Sequence, residues 1–430
     1  MFMEKISIEY VKTDLLKPYP GNPRDCDDKG KSDLKKSIKK FGWTDSLLIN
    51  MAPGREFIVL SGNLRLIVAK ELKIPEVPCI KTIIIDPNRE REIVLRMNVL
   101  NGIFNDDILR DWGIDLAIVA GLPEVDISAV WDNSLETEED NFNVDKERAK
   151  IIKPKTKLGE IYKLGHHTLG CGNATNKEFV KKVMNGQLAD VIYCDPPFNI
   201  SLNYNKGLGG KSSYGGKTND SLSDADYKTF LKNTIENALS VAKPDCHIFY
   251  YCDQKFIGLL QEIYRELGIE NKRVCLWAKN GMNPTPGVAF NKSYEPCVYG
   301  VKGKPYLSPK CSNFTEFLNK EIATGNRQLD DIFDLWDIWL VKRLAGQDYS
   351  HPTEKPITLH EKALRRCSKV NDVVLDLFSG SFSTGVACEQ LKRRIVTIDM
   401  EPTFCDLAIA RFKNLTGQDA KLISGGQNGK

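Results

Sequence analysis

The stretch Val373–Asp399, "VVLDLFSGSFSTGVACEQLKRRIVTID", decides how the larger part of this chain folds. An apolar run (373–377) stops in Phe378-Ser379-Gly380-Ser381, a helical stretch comes next, and a second apolar run ends in Asp399. Strand, loop, helix and strand in that order form a βαβ unit with its two strands parallel in one sheet. Gly380 lets a ligand approach the backbone, and the helix start offers N–H groups without helical partners. Asp399, nineteen residues past Gly380, falls where βαβ nucleotide sites hold ribose hydroxyls. The unit suits an adenosine-bearing cofactor. A dinucleotide fingerprint, G-x-G-x-x-G, fails, because Gly380 is followed by Ser381-Phe382. A plain glycine turn between strand and helix accounts equally well for the loop taken alone.

Working outward, strands and helices alternate from residue 158 onward. "ADVIYC", "CHIFYYC" and "KRVCLWAK" read as strands, and "DADYKTFLKNTIENALSVA", "FIGLLQEIYRELG" and "HEKALRRCS" as helices. Such alternation predicts an α/β fold, a parallel sheet with helices on both faces and ligands at the carboxyl ends of the strands. One of those ends is Asp195-Pro196-Pro197-Phe198. A residue before proline is pushed out of the helical region, so Asp195 stays extended. Two prolines then stiffen the backbone and remove two donors. What remains is a run of acceptors beside an aromatic ring, which fits a planar ligand with an exocyclic amine. The plainer reading is a rigid turn that ends a strand, and pairing with the 378–381 loop weighs against it.

A chain of 430 residues with 41% hydrophobic and 27% charged residues is long enough for two globular domains. Residues 1–126 read as the smaller one, α+β in character. In its first helix Leu34, Ile38 and Phe41 form an apolar stripe, and Lys35, Lys36, Lys39 and Lys40 share the other side. Those lysines either track a phosphate backbone or form an ordinary solvated face. Residues 127–157, acidic and then basic, read as a linker, and residues 158–430 as the larger domain. Twelve scattered cysteines without a C-x-x-C pair indicate a reduced interior. Five histidines supply no zinc spacing, and the adjacent His166 and His167 are expected to point apart on an extended segment, so no metal is expected. A net charge of +3 neither demands nor excludes nucleic acid. No apolar run is long enough to span a membrane and the N-terminus lacks a signal-peptide centre, so no membrane partner and a cytoplasmic address are expected.

Asp195-Pro196-Pro197-Phe198 and Phe378-Ser379-Gly380-Ser381 resemble the paired motifs of S-adenosylmethionine-dependent amino DNA methyltransferases. Their order, catalytic motif first, is that of the permuted β class. "GEIYKLGHHTLGCGNAT" (159–175), "LWAKN" (276–280), "YEPCVYGVKG" (294–303) and "HPTEKP" (351–356) resemble further segments of that class. The resemblance implies a Rossmann-like doubly wound methyltransferase sheet and S-adenosylmethionine as cofactor. It implies that Asp195, Pro196, Pro197 and Phe198 hold the target amine. It further implies that Asp376, Phe378, Gly380, Ser381 and Asp399 bind the cofactor, with Lys355 and Pro356 closing its methionine side. Residues 304–350, with Trp336, Trp339, Lys342 and Arg343, occupy the class's target-recognition slot, and the Gly/Ser/Lys stretch 206–217 is a candidate DNA clamp. Where the family has F-x-G-S-G this chain has Phe382, whose bulky side chain must turn away from the cofactor. Asn173 stands where the family has Asp, which keeps an acceptor and loses a charge.

In this family an Asp in the first motif position goes mostly with N6-adenine, and Ser mostly with N4-cytosine. Double-stranded DNA is the implied partner of a bacterial or phage-encoded enzyme. A homodimer and a cognate restriction nuclease are compatible with the class. The alternatives are N4-cytosine as target, an RNA or protein amide as substrate, or a non-catalytic adaptor with a degenerate methyltransferase domain. Residues 5–85 resemble a ParB-like domain through "LLKPYPGNPR", "SIKKFGW" and "SGNLRLIVAKELKIPEVP". ParB proteins usually have Gly-Glu-Arg-Arg where this chain has Gly62-Asn63-Leu64-Arg65, which argues for DNA positioning over nucleotide hydrolysis.

Overall fold

A computed structural model describes residues 7–25, 28–98, 103–104, 106–122, 127, 130–131, 135–200, 220–283, 292–308, 337–341 and 355–425. It divides the chain into two compact units, Met1–Ser134 and Leu135–Lys430.

The first unit holds strands β1 (Ile8–Lys12), β2 (Lys17–Pro18), β3 (Arg24–Asp25), β4 (Leu47–Asn50), β5 (Ile58–Ser61), β6 (Glu76–Thr82) and β7 (Ile103–Phe104). Five of them form a mixed sheet in the order β1-β6-β4-β5-β2. Leu47, Ile49, Val59 and Val77 from the strands pack with Leu66 and Ala69 of the helix Asn63–Glu71. The lysine-rich helix Asp28–Phe41 departs from its expected stripe. Phe41 is 67% exposed, and Lys40 lies over its ring. Lys31 and Lys35 of that helix pair with Glu71.

The second unit holds β8 (Ile161–Leu164), β9 (His167–Cys171), β10 (Ala189–Cys194), β11 (Ala242–Tyr251), β12 (Glu270–Asn283), β13 (Lys292–Lys302), β14 (Ile338–Leu340), β15 (Val373–Asp376), β16 (Arg394–Asp399) and β17 (Lys421–Ser424). They make one sheet in the order β14-β12-β13-β11-β10-β15-β16-β9-β8-β17. The sheet is mixed, not wholly parallel as expected. Its centre, β11-β10-β15-β16-β9, is parallel. Antiparallel pairs, β11–β13 and β12–β13 on one side and β9–β8 and β8–β17 on the other, extend it. At β8–β9 the reason is the two-residue turn Gly165–His166, because so short a link joins only antiparallel strands.

Residues alternate between the two faces along each central strand, as a strand period of two requires. Ile192, Cys194, Ile248, Tyr250, Leu375 and Ile398 meet the helices Lys177–Met184, Asp224–Leu239 and Ile257–Glu266. Val191, Tyr193, Phe249, Val374 and Ile395 meet the helices Ile357–Cys367, Ser383–Gln390 and Pro402–Thr416. Both faces are thus covered, which is why these strands read as continuous apolar runs. From β10 the chain winds outward to β11, and from β15 it winds the other way to β16. The order therefore reverses between β10 and β15, and such a switch point leaves a crevice at the carboxyl ends.

Residues 135–157, inside the expected linker, belong to the second unit and include the short helix Val144–Ala149. The stretch 206–217, Trp336, Lys342, Arg343 and most of 304–350 lie outside the described residues. Trp339 is described and is core. It lies 4% exposed in β14, opposite Trp277, with Phe249 6.4 Å away between ring centroids. Among the described residues, no helix is long and apolar enough to cross a membrane.

Candidate active site at the strand ends

β10 is buried along its length and stops at Asp195, where Pro196 removes the next ladder donor. Neighbouring side chains pin the residues after it. The Tyr227 hydroxyl donates to the Pro197 carbonyl at 2.8 Å. Asn199, in the left-handed region at φ 54°, exchanges two hydrogen bonds with the Leu222 backbone and donates its N–H to Asp220. The Asp195-Pro196-Pro197-Phe198 run is thereby held on a rigid base.

The Asp195 carboxylate accepts from the Lys355 ammonium at 2.5 Å. Lys355 is buried, 3.4 Å from Glu295, with the Tyr251 and Phe198 rings 4.5 Å and 5.2 Å from its nitrogen. Burial alone would push its pKa down; Asp195 and Glu295 outweigh that and hold it above the ordinary lysine value. Lys355 therefore stays charged. A buried polar chain lies beneath: Tyr251 to Tyr193 (2.7 Å), Tyr193 to His360 (3.2 Å), His360 to Ser383 (2.9 Å). Burial, reinforced by Lys355 and Arg411, pushes His360 down to about 3, so it is neutral. Ser383 begins the helix that follows the 378–381 loop, so the chain ties β10 to that loop.

The loop itself is organised by backbone donors. Phe378 N–H donates to Asp376 and Gly380 N–H to Asp399, each at 2.9 Å, and Glu401 N–H also donates to Asp399 at 2.8 Å. Desolvation dominates at both carboxyls and pushes each up to about 7, against the hydrogen bonds that favour ionisation. Gly380 has φ +49°, and a Cβ built there would come no nearer than 4.0 Å, to the Phe378 carbonyl oxygen. Among the described residues, the buried Ser379 hydroxyl has no partner. Each oxygen of Asp399 keeps a lone pair beyond the bond it accepts. Acceptors at a strand end, an orphaned hydroxyl and an open glycine turn fit a hydroxylated nucleoside.

Phe382 turns away from this loop. It occupies the left-handed region at φ 69°, which glycine favours, and its ring lies 1% exposed in the core, edge-on to His167. Gly385 makes the room, since a Cβ there would sit 2.3 Å from the Phe382 ring. Asn173 is exposed at the end of β9 and spends its side-chain oxygen on the Thr175 N–H and hydroxyl.

The two motifs meet across the β10–β15 ladder, where Val191 faces Val374 and Ile192 faces Leu375. Leu377 N–H reaches the Cys194 sulfur, 183 positions away, at 3.5 Å. Asp195, Pro196, Phe198 and Lys355 thus gather beside Asp376, Phe378, Gly380, Ser381 and Asp399. Lys355 lies on Asp195, and Pro356 immediately precedes the helix Ile357–Cys367. Glu295, Tyr251, Tyr193 and His360 were not singled out from the sequence. Glu295 carried a usable signal, a carboxylate before proline inside an apolar strand, the same one as Asp195.

His166 and His167 do not point apart, because His166 lies in the β8–β9 turn and not on a strand. Their rings are 4.3 Å apart, and both reach Glu389. His167 Nδ1 accepts the Ile395 N–H, so its Nε2 carries hydrogen and donates to Glu389. That arrangement uses both ring nitrogens and offers a metal no lone pair on His167.

The family profile described as DNA methylase (N6_N4_Mtase) matches residues 189–410. The chain is 28% identical over 254 residues to the Type II methyltransferase M2.DpnII of Streptococcus pneumoniae, covering 55% of this chain and 86% of that protein. It is 25% identical over 362 residues to the Type II methyltransferase M.BamHI of Bacillus amyloliquefaciens, covering 78% and 77%. Among solved structures, the M1.HpyAVI–SAM complex is similar at 23% identity and a TM-score of 0.41, over 56% of this chain and 97% of that one.

Proposed function

Since the chain belongs to the DNA methylase family, we propose that its second unit methylates N6 of adenine in double-stranded DNA. S-adenosylmethionine supplies the electrophilic methyl group when bound. The observation that carries the proposal is the junction of β10 and β15, which sets the Asp195 carboxylate beside the loop that suits a nucleoside.

The exocyclic amine of a base is a poor nucleophile, because its lone pair is delocalised into the ring. Asp195 and the Pro196 carbonyl accept the amine hydrogens and so turn the lone pair out of the ring plane, toward the 378–381 loop. Lys355 fixes one oxygen of Asp195, and each carboxylate oxygen has two lone pairs with which to accept. Phe198 stacks on the base and replaces part of the stacking lost when the base leaves the duplex. Positioning and electrostatics provide the acceleration, with no covalent intermediate. Cys194 takes no part, since it is buried with its thiol pushed well up by desolvation. On the cofactor side, Asp399 holds the ribose, Asp376, Phe378, Gly380 and Ser381 line the loop, and Pro356 starts the adjoining helix.

For the first unit we propose DNA positioning. Asn63 is buried and spends its side chain on Tyr19 N–H and the Val59 carbonyl, and Arg65 pairs with Asp45. Those structural engagements support positioning over nucleotide hydrolysis.

Sequencing with modified-base detection on DNA from cells that express the chain tests the main proposal. N6-methyladenine at a recurring sequence is the expected result. N4-methylcytosine instead would move the target base, and unmodified DNA from an expressed, folded protein would overturn the proposal.

A further inference from the structure

Residues 137–140, Thr-Glu-Glu-Asp, precede the matched family region, yet each makes a directed contact with an element beside the site. Thr137 donates its N–H and hydroxyl to Glu361 at 2.7 Å and 2.6 Å. Glu138 exchanges two backbone hydrogen bonds with the Gln390 side chain. The Glu139 carboxylate accepts the Ile357 and Thr358 N–H groups, both at 3.1 Å, and so caps the helix that follows Lys355 and Pro356. The Asp140 carboxylate takes Arg411 in a two-pronged pair, 2.7 Å to Nε and 2.8 Å to Nη2.

Arg411 carries the contact into the loop. Its remaining Nη1 donates to the Ser381 carbonyl at 2.9 Å and approaches the Ser381 hydroxyl at 3.2 Å. Ser381 directly follows Gly380, whose N–H lies on Asp399. Arg411 is 3% exposed, and the two-pronged pair with Asp140 fixes the plane of its guanidinium. Loss of the Asp140 charge loosens that plane, and with it the bond from Nη1 to the Ser381 carbonyl.

We propose that residues 137–140 form a positioning strap for the cofactor site, with Asp140 acting through Arg411 on the 378–381 loop. The strap also holds, through Glu139, the helix start beside Lys355. This rests on the reading of 378–381 as the loop that binds S-adenosylmethionine. Neither Asp140 nor Arg411 touches reactants, and both are positioning residues.

The test compares full-length wild type, Asp140→Asn and Asp140→Glu by S-adenosylmethionine titration, steady-state kinetics and thermal unfolding. Asp140→Asn is expected to raise the cofactor Kd and KM about tenfold. The kcat at saturating cofactor and the KM for DNA are expected to stay near wild type. Asp140→Glu, which keeps the charge, is expected to recover most of the affinity. Lowered Tm with an unchanged cofactor KM would make the strap merely structural and overturn the proposal. Should Asp140→Asn fail to fold, Arg411→Lys, which keeps the charge and loses the two-pronged geometry, takes its place. The same measurements then apply, and a raised or unchanged cofactor KM decides in the same way. Wild type that binds no S-adenosylmethionine sinks the parent reading, whereas equal affinity in wild type and variants sinks only the strap.

Discussion

The ends of β10 and of β15–β16 lie side by side and handle buried carboxylates in opposite ways. At β10, Asp195 has a cation: Lys355 is buried against it, with Glu295 as the second anion and two rings around the ammonium. At β15 and β16, the groups acting on Asp376 and Asp399 are burial, hydrogen-bond donors and other carboxylates, and both are pushed up to about 7. One end holds a cation against its carboxylates before any ligand arrives. At the other, backbone hydrogen-bond donors stand where the first has a cation. On the proposed reading, the protein pre-organises the acceptors for the amine, and the nucleoside brings the donors that complete its own site.

The largest expected effect breaks the β10 side alone. Asp195→Ala should reduce methylation by on the order of a thousandfold while leaving the cofactor Kd nearly unchanged, as equilibrium titration and single-turnover assays will report. Equal loss of both would put Asp195 in the wrong role. Lys355→Met comes next, with a fall in kcat of roughly a hundredfold. The cofactor KM should stay near wild type. A raised cofactor KM with kcat unchanged would return Lys355 to the methionine side.

On the other side, Asp399→Asn should raise the cofactor KM by about thirtyfold with little change in kcat, the worth of hydrogen bonds to a charged acceptor. A milder test needs no mutation. Asp376 and Asp399 are protonated below pH 7 and become full acceptors above it, so S-adenosylmethionine affinity should strengthen as pH rises from 6 to 8. The sign for stability is opposite. A carboxyl raised in the folded state favours folding below its unfolded pKa and loses that contribution as pH rises toward 7. Ligand-free protein should therefore lose stability from about pH 4 to pH 7, so that between pH 6 and 7 stability falls while ligand affinity grows, and thermal unfolding with and without cofactor will read this. The smallest effect is structural: Gly385→Ala should cost about 1–3 kcal/mol by driving a methyl group into the Phe382 ring, as measured by denaturant unfolding.

Much of this arrangement was legible in the chain. Both strand-end motifs could be read because prolines and glycine constrain the backbone locally, and the apolar runs of β10 and β15 declared two-sided burial. The edges of the sheet were less legible, since strands that pair antiparallel carry no sequence mark of direction. The contact of Lys355 with Asp195 is not legible, because nothing local records that a residue 160 positions away packs against it. The strap at 137–140 reads as an acidic linker because its partners, Ile357, Thr358, Glu361, Gln390 and Arg411, are all far along the chain. Phe382 shows the converse. That its side chain must turn away is legible in the motif, and where it goes is not, because the space comes from Gly385 packing under its ring.

The most direct measurement is nucleoside mass spectrometry of duplex DNA incubated with S-adenosylmethionine and either wild type or Asp195→Ala. N6-methyladenine is expected with wild type and none with the variant, although the variant still binds cofactor. Methyl transfer to DNA that survives Asp195→Ala, or a product methylated on carbon, would contradict it.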